Sequence, residues 1–365
     1  MFIKPNWPGT GLSNQLFFIV TSILIAIKEN KKLIVLDDFR LEPMANKMCP
    51  LREVIDLFHL NSLTKRYNIK IIDTKDITFE MNKITYGIEN QELDITQYMM
   101  QNHITNNILR IPARLNLNGI AGDPAHGITK KLFINYSING VQYQDQFSEY
   151  LFDQVVYDLI NSDQFNGWYQ VDINSHNSRL FNYFLKNIKF TDLFIKFSNS
   201  ALLIDKHNKY TLMTDLDKTK KIDVIHLRVE PDMTYNMSVH NNMNEVDYIK
   251  KLENNYIELI KKYFSKDNII IILCYTKDNE VTKFLKENGY EYYLTQKFIF
   301  NGREPHAIVD LLVGEKCNNV FIGNWNHKKQ IGSTFSYVLD VKIDSDVKRV
   351  FTNIYDINQP EVVVN

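Results

Sequence analysis

The chain has 365 residues, of which 44% are hydrophobic and 23% are charged, as in ordinary globular proteins. The 42 lysine and arginine residues nearly balance the 43 aspartate and glutamate residues, so net charge gives no reason to expect nucleic acid or an anionic membrane as the main partner. Three scattered cysteines are too few for a disulfide framework or a zinc site. The length suits two domains better than one core.

The amino-terminal residues lack the basic and apolar regions of a signal peptide. The most apolar stretch, residues 16–27, is shorter than the roughly 18 residues that a membrane-spanning helix needs. We therefore expect a cytoplasmic protein in a reducing environment, without a membrane span.

The amino-terminal half begins with a pattern typical of a parallel sheet. A short strand near Phe2-Ile3 precedes a glycine-containing loop that ends in Gly11-Leu-Ser-Asn-Gln15, followed by a helix that is apolar on all sides and a strand at 33–37. The loop glycines allow close backbone approach, and the first N–H groups of the helix could bind an anion or a sugar hydroxyl. Tight packing is an equally good explanation of the glycines.

The carboxyl-terminal half alternates strands and helices. Helices are predicted at 246–264, 281–288 and 305–315, between strands at 223–230, 269–274, 292–294 and 319–322. This spacing predicts a Rossmann-like domain with a parallel sheet. The charged segment 215–221 is the candidate linker, which gives a first domain at 1–218, a second domain at 219–342, and a tail at 343–365 for which a return to the first domain is one option.

The segment Asp223-Val-Ile-His-Leu-Arg-Val-Glu-Pro-Asp-Met233 is the centre of the functional interpretation. Strand alternation should point His226 and Arg228 to the same face, and Pro231 should mark the strand end. Ligands of open α/β sheets bind at this carboxyl edge, and an imidazole beside a guanidinium suits a phosphorylated ligand. A structural role, with Arg228 paired to an acid and His226 bonded to backbone, is the alternative.

Two segments nearer the carboxyl terminus fit the same kind of ligand. Gly332-Ser-Thr-Phe-Ser336 predicts a tight turn that opens a helix, whose free N–H groups could bind a diphosphate, with Ser333 or Thr334 as the cap. A cap without a ligand is the alternative. Asp310, on the preceding predicted helix, could accept both N–H groups of a guanine edge or be an exposed helix acid.

Three segments of the chain, residues 11–15, 226–233 and 304–336, resemble motifs of known fucosyltransferases. His226-Leu-Arg-Val-Glu-Pro-Asp-Met233 resembles the His-Leu-Arg-Phe-Glu-x-Asp-Met signature of the plant O-fucosyltransferase-like family, which is related to the GDP-fucose protein O-fucosyltransferases. Residues 11–15 resemble the Gly-x-x-Asn-Gln loop of several fucosyltransferase families. The sequence Glu304-x-x-Ala-x-Val-Asp310, the later Val320-Phe-Ile-Gly-Asn324 and the turn at 332–336 resemble the carboxyl-terminal signature of the same superfamily.

The resemblance implies an α/β, GT-B-like fold in which two Rossmann-like domains face a central cleft. Residues 1–218 would form the acceptor-side domain, and residues 219–342 would form the nucleotide-sugar-binding domain. It implies an inverting, metal-independent transfer of fucose from GDP-fucose, the donor substrate, to a hydroxyl of a glycan or protein, with no cofactor. Arg228 would hold the β-phosphate and stabilise the departing nucleoside diphosphate. The substrate-binding residues that the resemblance implies are Gly11, Asn14, His226, Arg228, Tyr275, Asp310, Asn324, Ser333, Thr334 and Phe335.

Inversion at the anomeric carbon asks for a base on the acceptor hydroxyl. Glu230 and Asp232, which follow Arg228, are candidates for this catalytic base. Asp37 and Asp38, at the strand end of the amino-terminal domain, are other candidates. Each of these four residues could equally be an ordinary ion-pair partner.

Three rival interpretations stay open. Asp215-Leu-Asp217 and Asp344-Ser-Asp346 match the Asp-x-Asp pattern by which another glycosyltransferase architecture holds a divalent metal, although flanking lysines suit solvated turns. A transferase of the same fold could use another nucleotide deoxysugar, such as UDP-rhamnose. A nucleotide-sugar-binding module without turnover is the third interpretation.

Overall fold

The computed structural model describes most of the chain. The described residues are 3–5, 11–42, 47–105, 108–112, 115–148, 155–158, 163–165, 177–229, 231–274, 278–295, 303–329, 331–359 and 362–364. No helix in these ranges is long and apolar enough to cross a bilayer.

The described residues form helices and strands throughout the chain. The helices are α1 (Leu12–Lys28), α2 (Leu51–Val54), α3 (Leu57–Thr64), α4 (Thr96–Asn102), α5 (Leu117–Ala121), α6 (Asn177–Asn187), α7 (Asp192–Asn199), α8 (Pro231–His240), α9 (Glu245–Tyr263), α10 (Glu280–Glu287), α11 (Arg303–Gly314) and α12 (Thr334–Lys342). The strands are β1 (Ile3–Pro5), β2 (Leu33–Leu36), β3 (Phe39–Arg40), β4 (Met48–Cys49), β5 (Lys70–Asp73), β6 (Phe79–Ile88), β7 (Gln91–Asp94), β8 (Ile104–Thr105), β9 (Ile108–Ile111), β10 (Lys131–Ile138), β11 (Val141–Ser148), β12 (Val155–Asp158), β13 (Asp163–Phe165), β14 (Leu202–Asp205), β15 (Tyr210–Leu212), β16 (Ile222–His226), β17 (Ile269–Leu273), β18 (Glu291–Thr295), β19 (Val320–Gly323), β20 (Trp325–Asn326), β21 (Ile331–Gly332), β22 (Lys348–Phe351) and β23 (Val362–Val364).

The chain divides into two compact units. The first unit comprises residues 1–6, 22–37 and 61–167, and the second comprises residues 7–21, 38–60 and 168–365. The charged segment 215–221 lies inside the second unit, where it connects β15 to β16. The tail contributes β22 and β23 to the main sheet of that second unit.

The first unit contains a parallel sheet and antiparallel sheets. The parallel sheet has the order β13-β1-β2-β5. The two strands that the sequence predicts on either side of α1 are neighbours in this sheet and run parallel, with Ile3 paired to Ile34. An antiparallel sheet, β11-β10-β6-β7, packs its apolar side chains with those of β2 and β5 in one buried cluster. A third sheet, β12-β9-β8, completes the unit. Sequence analysis assigned no structure to this antiparallel part.

The second unit is built on an eight-stranded sheet in the order β15-β14-β18-β17-β16-β19-β22-β23. Its five central strands, from β18 to β22, are parallel. Numbered by their sequence order, these five strands run 3-2-1-4-5, which is the order of doubly wound α/β sheets. The α/β class that the alternation predicts is therefore confirmed.

Helices cover both faces of this sheet, so its central strands are buried on both sides. The odd-numbered positions Ile225 and Leu227 join α9 and α10 in one apolar core. On the opposite face, Gly314 at the end of α11 lies against Leu273 of β17 and Leu339 of α12. The predicted helices of this half are present, with ends shifted by one or two residues.

A buried carboxylate joins the amino ends of three central strands. Asp223 is fully buried in β16, and its oxygens accept hydrogen bonds from the side-chain amides of Asn268 (2.9 Å) and Asn319 (2.7 Å) and from the N–H of Val320 (3.0 Å). Burial raises the pKa of Asp223, whereas these hydrogen bonds lower it. The carboxylate fixes the alignment of β16, β17 and β19.

Replacing Asp223 with alanine should therefore destabilise the second unit. The change leaves two amide groups and one backbone N–H buried without an acceptor, which should cost about 3 kcal/mol of unfolding free energy. Urea denaturation followed by circular dichroism measures this change. The control is Asp217→Ala, at an exposed turn, which should cost less than about 1 kcal/mol. Equal effects of the two substitutions would contradict the role of Asp223.

Candidate functional site

The candidate site lies where the direction of winding of the second sheet reverses. Strands β16 and β19 are neighbours there, with Ile225 paired to Ile322. Chain connections leave these two strands toward opposite sides of the sheet, and doubly wound proteins bind their ligands beyond the carboxyl ends of the strands at such a point. The residues that follow β16 include Arg228, and Asn324 follows β19.

His226 is the last residue of β16 and is held by α12. Its Nδ1 lies 2.7 Å from the Ser336 hydroxyl, and its ring lies 4.7 Å from the Phe335 ring. His226 and Leu227 therefore point to opposite faces, as strand alternation requires. Burial, with the nearby positive charge of Arg228, lowers the pKa of His226 to about 3. The imidazole is consequently neutral at physiological pH and acts through hydrogen bonding.

Arg228 follows two residues after His226 and is half-buried. Its charge is close enough to contribute to the lowered pKa of His226. Its backbone N–H donates to the hydroxyl of Tyr256 at 3.4 Å. The strand ends at His226, earlier than predicted, and Pro231 starts α8, a position that proline favours because its missing N–H is not needed there.

Glu230, one of the two residues predicted as the catalytic base, lies outside the described residues. Asp232 lies in the first turn of α8, where the structure describes the backbone and not the side chain. Tyr275 also lies outside the described residues.

Asn324 connects several residues at the end of β19. It is fully buried, its Nδ2 donates to the Tyr256 hydroxyl at 3.1 Å, and its Oδ1 accepts from the Ser333 N–H at 3.1 Å. Its own N–H donates to the Ser336 hydroxyl at 3.0 Å. These hydrogen bonds fix the position of the Asn324 side chain, and the substrate-binding role of Asn324 stays a prediction.

A glycine lets the turn close tightly above Asn324. Gly332 has a φ of 140°, and a Cβ atom there would lie 2.5 Å from the carbonyl oxygen of Asn324. Both the backbone angle and this contact exclude a larger residue. The glycine fixes the direction in which α12 leaves the sheet.

The α12 start, residues 333–336, presents polar groups at this edge. Ser333 occupies the cap position, but its side chain makes no capping hydrogen bond. The first intrahelical bond runs from the N–H of Tyr337 to the carbonyl of Ser333, so the preceding N–H groups have no acceptor within the helix. Ser333, Thr334 and Phe335 are half-buried and thus accessible to a ligand. With the helix dipole, this arrangement suits a phosphate.

The α1 start, residues 11–15, packs into the same unit. The Phe17 ring lies 5.8 Å from the ring of Tyr337, one residue beyond the α12 start. The Leu12 N–H donates to the Glu304 carboxylate at the start of α11. The side-chain oxygen of Asn14 is buried and has no hydrogen-bond partner among the described residues. The structure therefore associates Gly11 and Asn14 with the helices that surround the site.

The remaining candidates are distributed elsewhere. Asp310 is half-buried in α11, outside the strands and the helix that build the His226 cluster. Asp37 belongs to the first unit, where it accepts a hydrogen bond from the Thr74 hydroxyl at 2.7 Å. Asp217 caps a turn by accepting from the N–H and hydroxyl of Thr219. Within the described ranges, no group of three or more His, Cys, Asp or Glu side chains has the arrangement of a metal site.

Three residues that contact the candidate site residues had no predicted role: Tyr256, Ser336 and Glu304. Tyr256 occupied an apolar position of the predicted helix 246–264, although a buried tyrosine hydroxyl needs a hydrogen-bond partner and so signals a polar contact. Ser336 and Glu304 stood inside the quoted motifs without a role.

The chain matches no protein-family model, and no curated protein matches it. The motifs and the geometry of the second unit are therefore what indicates the function of this chain.

The neutral state of His226 predicts a pH dependence of stability. Its folded pKa is lower than that of an exposed histidine, so the unfolded chain binds more protons in acid, and the contribution of His226 is fully present above pH 6.5 and lost as the pH falls toward about 3. Between pH 6.5 and 5 the loss should be about 2 kcal/mol. Urea denaturation of wild type and of His226→Asn across this pH range measures the contribution of His226 to the free energy of unfolding.

The asparagine variant should lose this part of the pH slope, whatever its absolute stability. Nuclear magnetic resonance of the imidazole provides a direct check, because the His226 ring should remain neutral at pH 5. A ring that titrates near pH 6.5 would contradict the buried environment described here.

Proposed function

We propose that this chain is an inverting, metal-independent glycosyltransferase of GT-B-like architecture that transfers fucose from GDP-fucose to a hydroxyl of a glycan or protein. The observation that carries the proposal is the arrangement around the His226–Ser336 hydrogen bond. That bond brings the strand segment bearing Arg228 to the accessible α12 start, at the ligand-binding edge of a doubly wound sheet.

Two kinds of positive potential serve a departing nucleoside diphosphate. The Arg228 guanidinium remains charged at any working pH and can hold phosphate oxygens in pairs. The α12 start offers N–H groups and the positive end of the helix dipole. Preorganised charge of this kind is worth several kcal/mol where negative charge develops during the reaction.

The donor sugar and the catalytic base rest on the motif resemblance. In this proposal Gly11 and Asn14 face the sugar, while His226, Tyr275 and Asp310 lie by the ribose and base. Glu230 or Asp232 would accept the proton of the acceptor hydroxyl. UDP-rhamnose is the principal alternative donor, and a binding module without turnover is the alternative from another class.

Arg228→Ala should separate an enzyme from a binding module. In an enzyme the loss of a cation that stabilises the leaving group should lower kcat by about 100-fold or more, whereas a module loses affinity alone. The measurement is release of GDP from GDP-fucose, with and without candidate acceptors. Arg228→Lys should recover part of the rate, and Arg52→Ala, at an exposed site in α2, is the matched control. Unchanged turnover in Arg228→Ala would refute the assignment.

The donor preference is tested by titration calorimetry with GDP-fucose, GDP-mannose, UDP-rhamnose and the corresponding free nucleotides. We expect GDP-fucose to bind most tightly, and binding and turnover to persist in the presence of EDTA. Preference for UDP-rhamnose would change the donor but not the class. No binding of any nucleotide sugar would refute the proposed function, and activity abolished by EDTA would refute its metal independence.

A further inference from the structure

Glu304 is a buried acid at the ligand-binding edge of the second unit. It is the second residue of α11, and only 1% of its surface is exposed. Because α11 connects the parallel strands β18 and β19, its first turn lies at the carboxyl edge of the sheet, as do His226 and Asn324. Nothing in the strand network described above requires a carboxylate at this place.

The carboxylate lies directly against the α1 start. One oxygen accepts the hydrogen bond of the Leu12 N–H, which is an otherwise unpaired donor of the first helical turn. A Cβ atom on Gly11 would lie 3.5 Å from both carboxylate oxygens, so the acid packs on the glycine backbone. A negative charge here is favoured by the dipole of α1.

The same residue ties a third segment to this point. The Glu304 N–H donates to the carbonyl of Leu41 at 3.0 Å. One residue earlier, the backbone N–H and carbonyl of Arg40 exchange hydrogen bonds of 2.9 Å and 3.1 Å with the side chain of Gln15. The α1 start is therefore held from two sides, by α11 and by the strand that includes Arg40.

This arrangement is costly if its only role is structural. Burial raises the pKa of Glu304 to about 7, opposed by the Leu12 hydrogen bond and by Arg303, and assisted by Glu42. The second carboxylate oxygen makes no hydrogen bond among the described residues, although the Arg303 Nε lies 3.8 Å from it. The side-chain oxygen of Asn14, in the same first turn of α1 as Leu12, is likewise buried and has no hydrogen-bond partner in the part of the chain that the structure describes. Buried polar groups without a partner are few in folded proteins, so each requires an explanation, and a bond completed by a ligand would supply one here.

We propose that Glu304 is the positioning residue of the α1 start: by holding the Leu12 N–H, it orients Gly11 and Asn14 toward the sugar ring of the nucleotide-sugar donor. This inference rests on the proposed function and adds to it the residue that sets recognition of the sugar, as distinct from recognition of the nucleotide. Glu304 acts through the loop and does not itself touch the reacting atoms.

The test compares Glu304→Ala and Glu304→Gln in two measurements. Hydrogen exchange followed by mass spectrometry reports protection of a peptide that covers the α1 start. Calorimetry reports affinity for GDP-fucose and for GDP, and the ratio of the two isolates sugar recognition. Glutamine keeps an oxygen that can accept the Leu12 N–H, so it should preserve both protection and ratio. Alanine should accelerate exchange and reduce the preference for GDP-fucose over GDP by about tenfold, as expected for a lost sugar hydrogen bond.

Glu253 supplies the matched control. It too is a buried acid of the second unit, and it accepts a backbone hydrogen bond at a helix start, from the Glu280 N–H at 3.3 Å. Glu253→Ala should accelerate exchange at the start of α10 and leave the GDP-fucose to GDP ratio unchanged. If Glu304→Ala does not fold, Asn14→Ala replaces it and should reduce the ratio without accelerating exchange at Leu12.

Equal weakening of GDP-fucose and GDP in Glu304→Ala, or an unchanged exchange rate at the α1 start, would overturn the proposal. A wild-type chain that binds GDP but does not distinguish GDP-fucose from it would also overturn it. A wild-type chain that binds no nucleotide sugar would sink the proposed function itself. In that case faster exchange in Glu304→Ala would establish Glu304 as a structural cap only.

Discussion

The buried hydrogen bond between the His226 imidazole and the Ser336 hydroxyl is the contact on which the site depends. It joins the end of β16 to the start of α12, although the two residues are 110 positions apart in the sequence. The Ser336 hydroxyl also accepts the Asn324 N–H, and the Asn324 side chain continues the network to Tyr256 and Ser333. Such bonds are strong in a medium of low polarity, and together they give the edge of the sheet a fixed shape.

Glycines make this network possible. A Cβ atom on Gly323 would lie 3.0 Å from the Ser336 hydroxyl, and one on Gly332 would collide with the Asn324 backbone. The backbone of β19 and the turn after it can therefore approach α12 closely enough for direct hydrogen bonds. The result is a rigid support behind residues 333–335, which is what recognition of a charged group requires because loosely held donors lose much of their advantage to reorganisation.

Two buried titratable groups at this edge have different parts in the proposed chemistry. Burial keeps His226 neutral, so it supports the site through a hydrogen bond and does not add charge beside Arg228. Burial raises the pKa of Glu304 into the neutral range, where it holds the backbone of the α1 start. The positive charge that would meet a diphosphate thus comes from one guanidinium and one helix start, while neutral or backbone groups provide the geometry.

The sequence by itself determined the α/β class and the central helices and strands of the second unit, and it marked the segments of the candidate site. Periodicity located α9, α10, α11 and the strands between them, because each burial pattern repeats with the period of its own element. The motif at 226–233 and the turn at 332–336 marked the segments that meet. It did not reveal the hairpins of the first unit, whose short apolar runs gain their meaning only from pairing partners distant in the chain.

Tertiary structure decided which contacts the marked residues make. An amide at a strand end can bind a ligand or stabilise the protein, and the sequence did not reveal the buried hydrogen bonds of Asn324 with Tyr256 and Ser333. Glu304 stood in the carboxyl-terminal motif and Tyr256 at an apolar helix position, but neither pattern indicated which contact the residue makes. Their partners are 292 and 30 residues away, at Leu12 and His226, and folding alone brings such pairs into contact.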